Sequence, residues 1–152
     1  MFILQVIFLP VMKYLIYLST AVYLMTDTKL LELLNIAREK NKKHNVTGVL
    51  LYSEGTFLQV LEGMPEDVDL IFKEIERDRR HKNIIKLIDE PLAKRNFPNW
   101  SMGFSTVDSN LNNDVLGYIT STDKIMGSKA DHSAISILKT FITTNNLMVH
   151  SD

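Results

Sequence analysis

Tyr17 stands in the middle of a short apolar run, KYLIYLS at residues 13–19, and Gln59 in the middle of another, FLQVLE at 57–62. Strand side chains alternate, so Tyr17 shares a face with Leu15 and Ser19, and Gln59 with Phe57 and Leu61. A buried primary amide needs partners for two donors and an acceptor, or it costs a few kcal/mol. If the two runs are neighbouring strands, the phenol and the amide can meet. Such a pair is either a satisfied polar contact inside a core or part of a binding site. Asn41 closes the apolar pattern of a helix; it is either a C-cap or an amide facing a ligand. Arg77, Asp78, Arg79, Arg80 and His81 form a charged run. They are either a solvated helix end complementing the dipole or a basic rim for a phosphate. Trp100 and Met102 share one face of an expected last strand, where packing is the simple account. Signals for catalysis are weak. His44, His81, His132 and His150 lack metal-site spacing. STAVYLMTD, after the first strand, has no glycine to cradle a phosphate. No carboxylate pair stands out.

The elements that must position these residues follow from the hydrophobic pattern. Lys13–Ser19 reads as a strand. Thr26 or Asp27 caps a helix to about Asn41, with Leu30, Leu33, Leu34 and Ala37 at helical spacing. Val46–Tyr52 and Phe57–Glu62 form a hairpin around Ser53-Glu54-Gly55-Thr56. Pro65, Glu66 and Asp67 suit the first turn of a second helix, with Val68, Ile71, Phe72 and Ile75 as its buried stripe. Asn83–Asp89 reads as a fourth strand. Pro91 and Pro98 bracket a loop, and Trp100–Ser105 makes a fifth strand. The class is α+β: a ferredoxin-like βαββαβ sheet with an extra fifth strand and two helices on one face. Its first and third strands are central neighbours. Asp108–Asp114 is polar and suits a turn. A tail helix from about Asp131 to Thr144 should cover the open sheet face or a partner chain.

Composition narrows the function. The chain has 152 residues, 45% of them hydrophobic and 23% charged, which is globular. A net charge of -1 argues against gripping nucleic acid or anionic lipid. With no cysteine, disulfides, thiolate catalysis and cysteine-ligated metals are excluded. A cytoplasmic setting is compatible with that. The first twelve residues, MFILQVIFLPVM, are too short to span a bilayer and lack the basic opening of an export signal. The expectation is an upstream extension with Met12 as the true start. Three parts result: an apolar extension at 1–12, a main domain at 13–105 and a helical tail at 106–152.

The motifs LIYLS, Asn41 followed by NVTGVLLYSEGTFLQVLEG, IERDRRH, and FPNWSMGF together resemble the BLUF domain of bacterial blue-light sensors. The resemblance runs from about Lys13 to Phe104, and the C-terminal tail resembles that of short, single-domain members. It implies non-covalently bound FAD, or another flavin such as FMN, between the two helices. It implies that Tyr17 exchanges an electron and proton with the excited flavin and that Gln59 bridges the tyrosine and the ring. It further implies that Asn41 bonds the ring's carbonyl edge, that Leu33, Phe57 and Ile75 line it, and that Arg80 and His81 lie near its polar edge and phosphate side. Trp100 and Met102 fall on the strand that passes the signal on. The implied protein is not an enzyme. It is a homo-oligomer that acts on a downstream signalling partner of unknown identity, without direct nucleic-acid or membrane binding. Two other classes stay in view on the same fold: an acylphosphatase-like hydrolase, and a ligand-binding regulatory module without photochemistry. The hydrolase would need an anion loop and an arginine after the first strand. The regulatory module would not need the Tyr17–Gln59 pair.

Overall fold

The computed structural model describes residues 11–106, 125–129 and 132–145. Of the expected apolar extension at 1–12, residues 1–10 lie outside the described residues, as does the expected turn at Asp108–Asp114, while Met12 already belongs to the first strand. The elements are β1 (Met12–Ala21), α1 (Asp27–Lys43), β2 (Thr47–Ser53), β3 (Thr56–Gly63), α2 (Pro65–Arg77), β4 (His81–Leu92), β5 (Gly103–Thr106) and α3 (Ser133–Thr144). They build one five-stranded sheet in the order β4-β1-β3-β2-β5. The first four strands pair antiparallel, and β5 runs parallel to β2. This is the expected ferredoxin-like arrangement, with β1 and β3 adjacent at its centre.

Local chemistry sets the boundaries. Thr26 caps α1, its hydroxyl accepting the Lys29 N–H at 3.2 Å. Pro65 opens α2, with Glu66 and Asp67 in the first turn. Gly48 is required where β2 meets β3: a Cβ there would stand 1.8 Å from the Val60 carbonyl oxygen.

Two expectations about the last strands need correction. β4 extends through Pro91, which the sequence suggested lay in a loop. The sheet tolerates this proline because β4 is an edge strand, where a missing N–H breaks no ladder. β4 also carries two register shifts against β1, one of them around Asn83, whose φ is +53°. Second, β5 begins at Gly103, so Trp100 and Met102 precede it rather than lie within it.

The sheet separates two cores. On the side of α1 and α2, Leu15, Tyr17, Leu50, Phe57 and Leu61 meet Leu30, Leu34, Val68, Ile71 and Phe72. On the other side, Tyr14, Ile16, Val49, Leu51, Leu58 and Val60 meet Ala134, Ile135, Leu138 and Ile142 of α3. The tail helix thus covers the face that α1 and α2 leave open.

Candidate functional site

β1 and β3 place Tyr17 directly opposite Gln59. Both are buried, and the Tyr17 hydroxyl donates to Gln59 Oε1. Burial pushes the Tyr17 phenol far above its ordinary range, and the Asp78 carboxylate adds to this, so the group holds its proton. With Oε1 engaged, Gln59 Nε2 points to the Met102 sulfur at 3.5 Å, a weak acceptor. Phe72 and His81 flank the phenol, with ring centroids 5.5 and 6.3 Å away.

Above this pair, α1 and α2 leave a cleft of about 700 Å³, open mouth included. Leu33, Ile36 and Ala37 of α1 and Ile71 and Ile75 of α2 form its apolar sides. Leu50, Phe57, Tyr17 and Gln59 form its floor. The mouth carries two ion pairs. Lys40 of α1 reaches Glu74 of α2 at 2.9 Å, and Arg80 pairs with Asp78 through both side-chain oxygens. Hydrogen bonds from Arg80 are the main reason the Asp78 carboxyl sits below its usual range.

Asn41 is not the cap of α1. The helix continues to Lys43, and His44 is its C-cap. Asn45 follows with φ +53°, in the left-handed region that Asn tolerates. Asn41 is 1% exposed and lines the cleft. Its Nδ2 donates to the Ser101 carbonyl at 2.8 Å. Its side-chain oxygen meets no donor among the described residues. His81 lines the cleft too, but its ring is tied down. Nε2 donates to the Ile75 carbonyl at 2.6 Å, and in the neutral ring Nδ1 accepts the Ser19 hydroxyl at 2.8 Å.

Leu33, Asn41, Phe57, Gln59, Ile75, Arg80, His81 and Tyr17 therefore line one cleft. Trp100 and Met102 do not share a face. Met102 is buried in the α1–α2 core against Gln59, whereas Trp100 stacks on Phe97 at 5.1 Å in the α3 core. Alternation fails for them because they lie in the unpaired approach to β5. Two polar residues near the site, and a third on the opposite face of the sheet, were not singled out in the sequence. Ser19 anchors His81. Arg38 donates through Nε to the Met102 carbonyl at 3.0 Å. Glu62 is fully buried, and its carboxylate accepts the Phe97 N–H at 2.7 Å and the Asn96 N–H and Nδ2 at 2.9 Å each. Position alone marks Ser19, which shares Tyr17's face. Nothing in the local sequence separates Arg38 or Glu62 from surface charges.

Fold and site define a ferredoxin-like α+β domain whose cleft suits a flat heteroaromatic ligand, apolar on its faces and polar at one edge. Residues 12–103 match the model of the BLUF family, sensors of blue light using FAD, and the chain belongs to that family. It is a blue-light sensor domain of the flavin-binding type. A photoactivated adenylate cyclase subunit beta of Euglena longa is 39% identical over 80 residues, 53% of this chain and 9% of that protein. The blue light- and temperature-regulated antirepressor BluF of Escherichia coli (strain K12) is 32% identical over 116 residues, 75% of this chain and 28% of that protein. The photo-activated state of BlsA superposes with a TM-score of 0.63 at 26% identity, over 93% of this chain and 99% of that one. The chain thus spans less than a tenth of the cyclase subunit and under a third of the antirepressor. No helix among the described residues is long and apolar enough to cross a membrane.

The residues present fit a flavin. Its isoalloxazine ring has apolar faces and an edge of carbonyls, an imide N–H and ring nitrogens. The Asn41 oxygen, without a donor among the described residues, can accept from an N–H. Gln59 Nε2, satisfied here only by a thioether, can donate to a carbonyl or a ring nitrogen.

Proposed function

We propose that the chain is a photoreceptor that binds FAD non-covalently in the α1–α2 cleft and signals by rearranging the hydrogen bonds of Gln59. The observation that carries this is the buried Tyr17–Gln59 hydrogen bond on the floor of an open, apolar cleft. When bound, the flavin supplies blue-light absorption and, once excited, a strong one-electron oxidant.

Tyr17 is the electron donor. Its proton has one route along the existing hydrogen bond, from the phenol oxygen to Gln59 Oε1. When electron and proton return, the amide is left turned, with its nitrogen and oxygen exchanged in direction. An amide suits this because its two ends differ in hydrogen-bond sense but hardly in shape. Asn41 holds the polar edge of the ring. Leu33, Phe57 and Ile75 pack on its faces and keep water away. Lys40 and Arg80 supply cations at the mouth that suit the pyrophosphate of FAD, and His81 braces the end of α2 beside it. Trp100 and Met102, one on each side of the sheet, carry the change outward toward α3.

The domain at 13–105 senses, and the segment at 106–152 makes the output contacts. We infer no enzymatic activity for the chain itself. Its output is a changed contact with a second copy or with a downstream protein, in a cytoplasmic setting. The relatives' cyclase and antirepressor activities belong to those proteins. The test is spectroscopic. Protein loaded with FAD should shift its flavin absorption to the red under blue light and return in the dark. Flavin released from the freshly purified protein and separated by chromatography should be FAD; FMN in excess would correct the cofactor. A protein that takes up flavin but gives no shift would defeat the reading.

A further inference from the structure

The approach to β5 is held by three consecutive carbonyls. Gly48 N–H donates to the Trp100 carbonyl at 2.9 Å, Asn41 Nδ2 to Ser101 at 2.8 Å, and Arg38 Nε to Met102 at 3.0 Å. Met102 is the only one of the three whose side chain also touches Gln59. Its sulfur faces the amide nitrogen while its backbone is held by α1. Arg38 is half-buried, and no carboxylate pairs with it among the described residues. Burial pulls its guanidinium below the usual range, though it stays charged. A partly desolvated cation without a counterion is an expensive way to satisfy one carbonyl. That cost points to a positional role.

The chemistry of the contact gives that role content. A thioether sulfur accepts weakly and donates nothing. If the Gln59 amide turns, a carbonyl oxygen faces the Met102 sulfur, and the contact changes from weakly attractive to repulsive. Whether only the side chain yields, or the whole approach to β5, depends on what holds the backbone. We propose that Arg38 is a positioning residue. It latches Met102 against Gln59 in the dark and makes the approach to β5, together with α1, respond as a unit when the amide turns. This rests on the flavin-sensor function proposed above.

The experiment compares the full chain, loaded with FAD, as wild type, Arg38→Met and Arg38→Lys. Hydrogen exchange of the Trp100–Thr106 amides is followed in the dark and under blue light, beside the absorption shift. Arg38→Met keeps the side chain's bulk and removes its donors. It should retain flavin and the red shift, because Tyr17 and Gln59 are untouched. Dark exchange in Trp100–Thr106 should quicken about ten-fold or more, the effect of losing one hydrogen bond to a charged group. The light-minus-dark difference there should fall to less than half, and dark recovery should accelerate. Arg38→Lys should restore part of each. Wild-type exchange and recovery in Arg38→Met would overturn the latch. So would loss of the shift in Arg38→Met alone, which would move Arg38 into the photochemical site. Absence of the shift in the wild type would defeat the photosensor reading instead. If Arg38→Met does not fold, Arg38→Gln against Arg38→Lys makes the same comparison, with the same outcomes deciding it.

Discussion

The two faces of the sheet bury polar groups in opposite ways. On the α3 side, the Glu62 carboxylate is saturated by three N–H donors from Asn96 and Phe97. It holds the β4–β5 connection in place. On the α1–α2 side, Gln59 has a thioether for its nitrogen and Asn41 has no donor for its oxygen among the described residues, and both border an open cleft. A fully satisfied buried group fixes a structure. An under-satisfied one beside a cavity waits for a ligand.

That contrast separates function from stability, so substitutions on the two faces should fail differently. Gln59→Leu should abolish the light-induced shift altogether and cost about 1–3 kcal/mol, because it strands the buried Tyr17 hydroxyl while giving up only a weak thioether contact at the amide nitrogen. Tyr17→Phe should keep flavin and lose the shift, since the ring still packs and only the proton donor is gone. Absorption spectra and urea unfolding together check both; a shift that survives either change breaks the contrast. Glu62→Ala should do the reverse. It strands the buried Phe97 N–H and two part-buried Asn96 donors and should cost about 3 kcal/mol, seen in the urea midpoint. The shift should persist in the folded fraction.

Leu138→Ala, in the middle of α3, should cost about 2–5 kcal/mol and likewise spare the shift. Finally, Lys13 joins Asp69 and Asp89 at the end of β1, with Lys13–Asp89 at 2.9 Å. Burial works against the charge of both Lys13 and Asp89. Their mutual hydrogen bonds, with those from Asp69 and Lys86, outweigh it and leave the lysine raised and Asp89 lowered. The aspartate's contribution is present above about pH 4 and lost as pH falls through its lowered value. The lysine's is present below about pH 10 and lost as pH rises beyond it. Lys13→Met should therefore cost at most about 1 kcal/mol at pH 7 and progressively less toward pH 2. A urea midpoint difference that grows in acid would contradict this.

What could be read from the sequence depended on local periodicity. The Tyr17–Gln59 contact was legible because a period of two fixes each face, and the βαββαβ order makes β1 and β3 neighbours. The covering of the second face by α3 was legible because an apolar helix stripe had no other partner in the chain. Asn41 was ambiguous because Asn45, four residues on, takes the left-handed turn after the helix instead. Trp100 and Met102 were assigned one face by alternation, which does not govern residues outside the ladder. Glu62 looks like a strand-end surface charge, and its burial comes from a loop more than thirty residues downstream. Arg38 looks like part of a solvated helix face for the same reason: its partner is 64 residues away.

Light-minus-dark absorption of the FAD-loaded wild type, set beside the Tyr17→Phe variant, bears most directly on the claim that phenol and amide together read the chromophore. The wild type should give a reversible red shift, and the variant should hold the same flavin without it. Equal shifts in the two proteins, or none in the wild type with its cleft filled by flavin, would contradict the account.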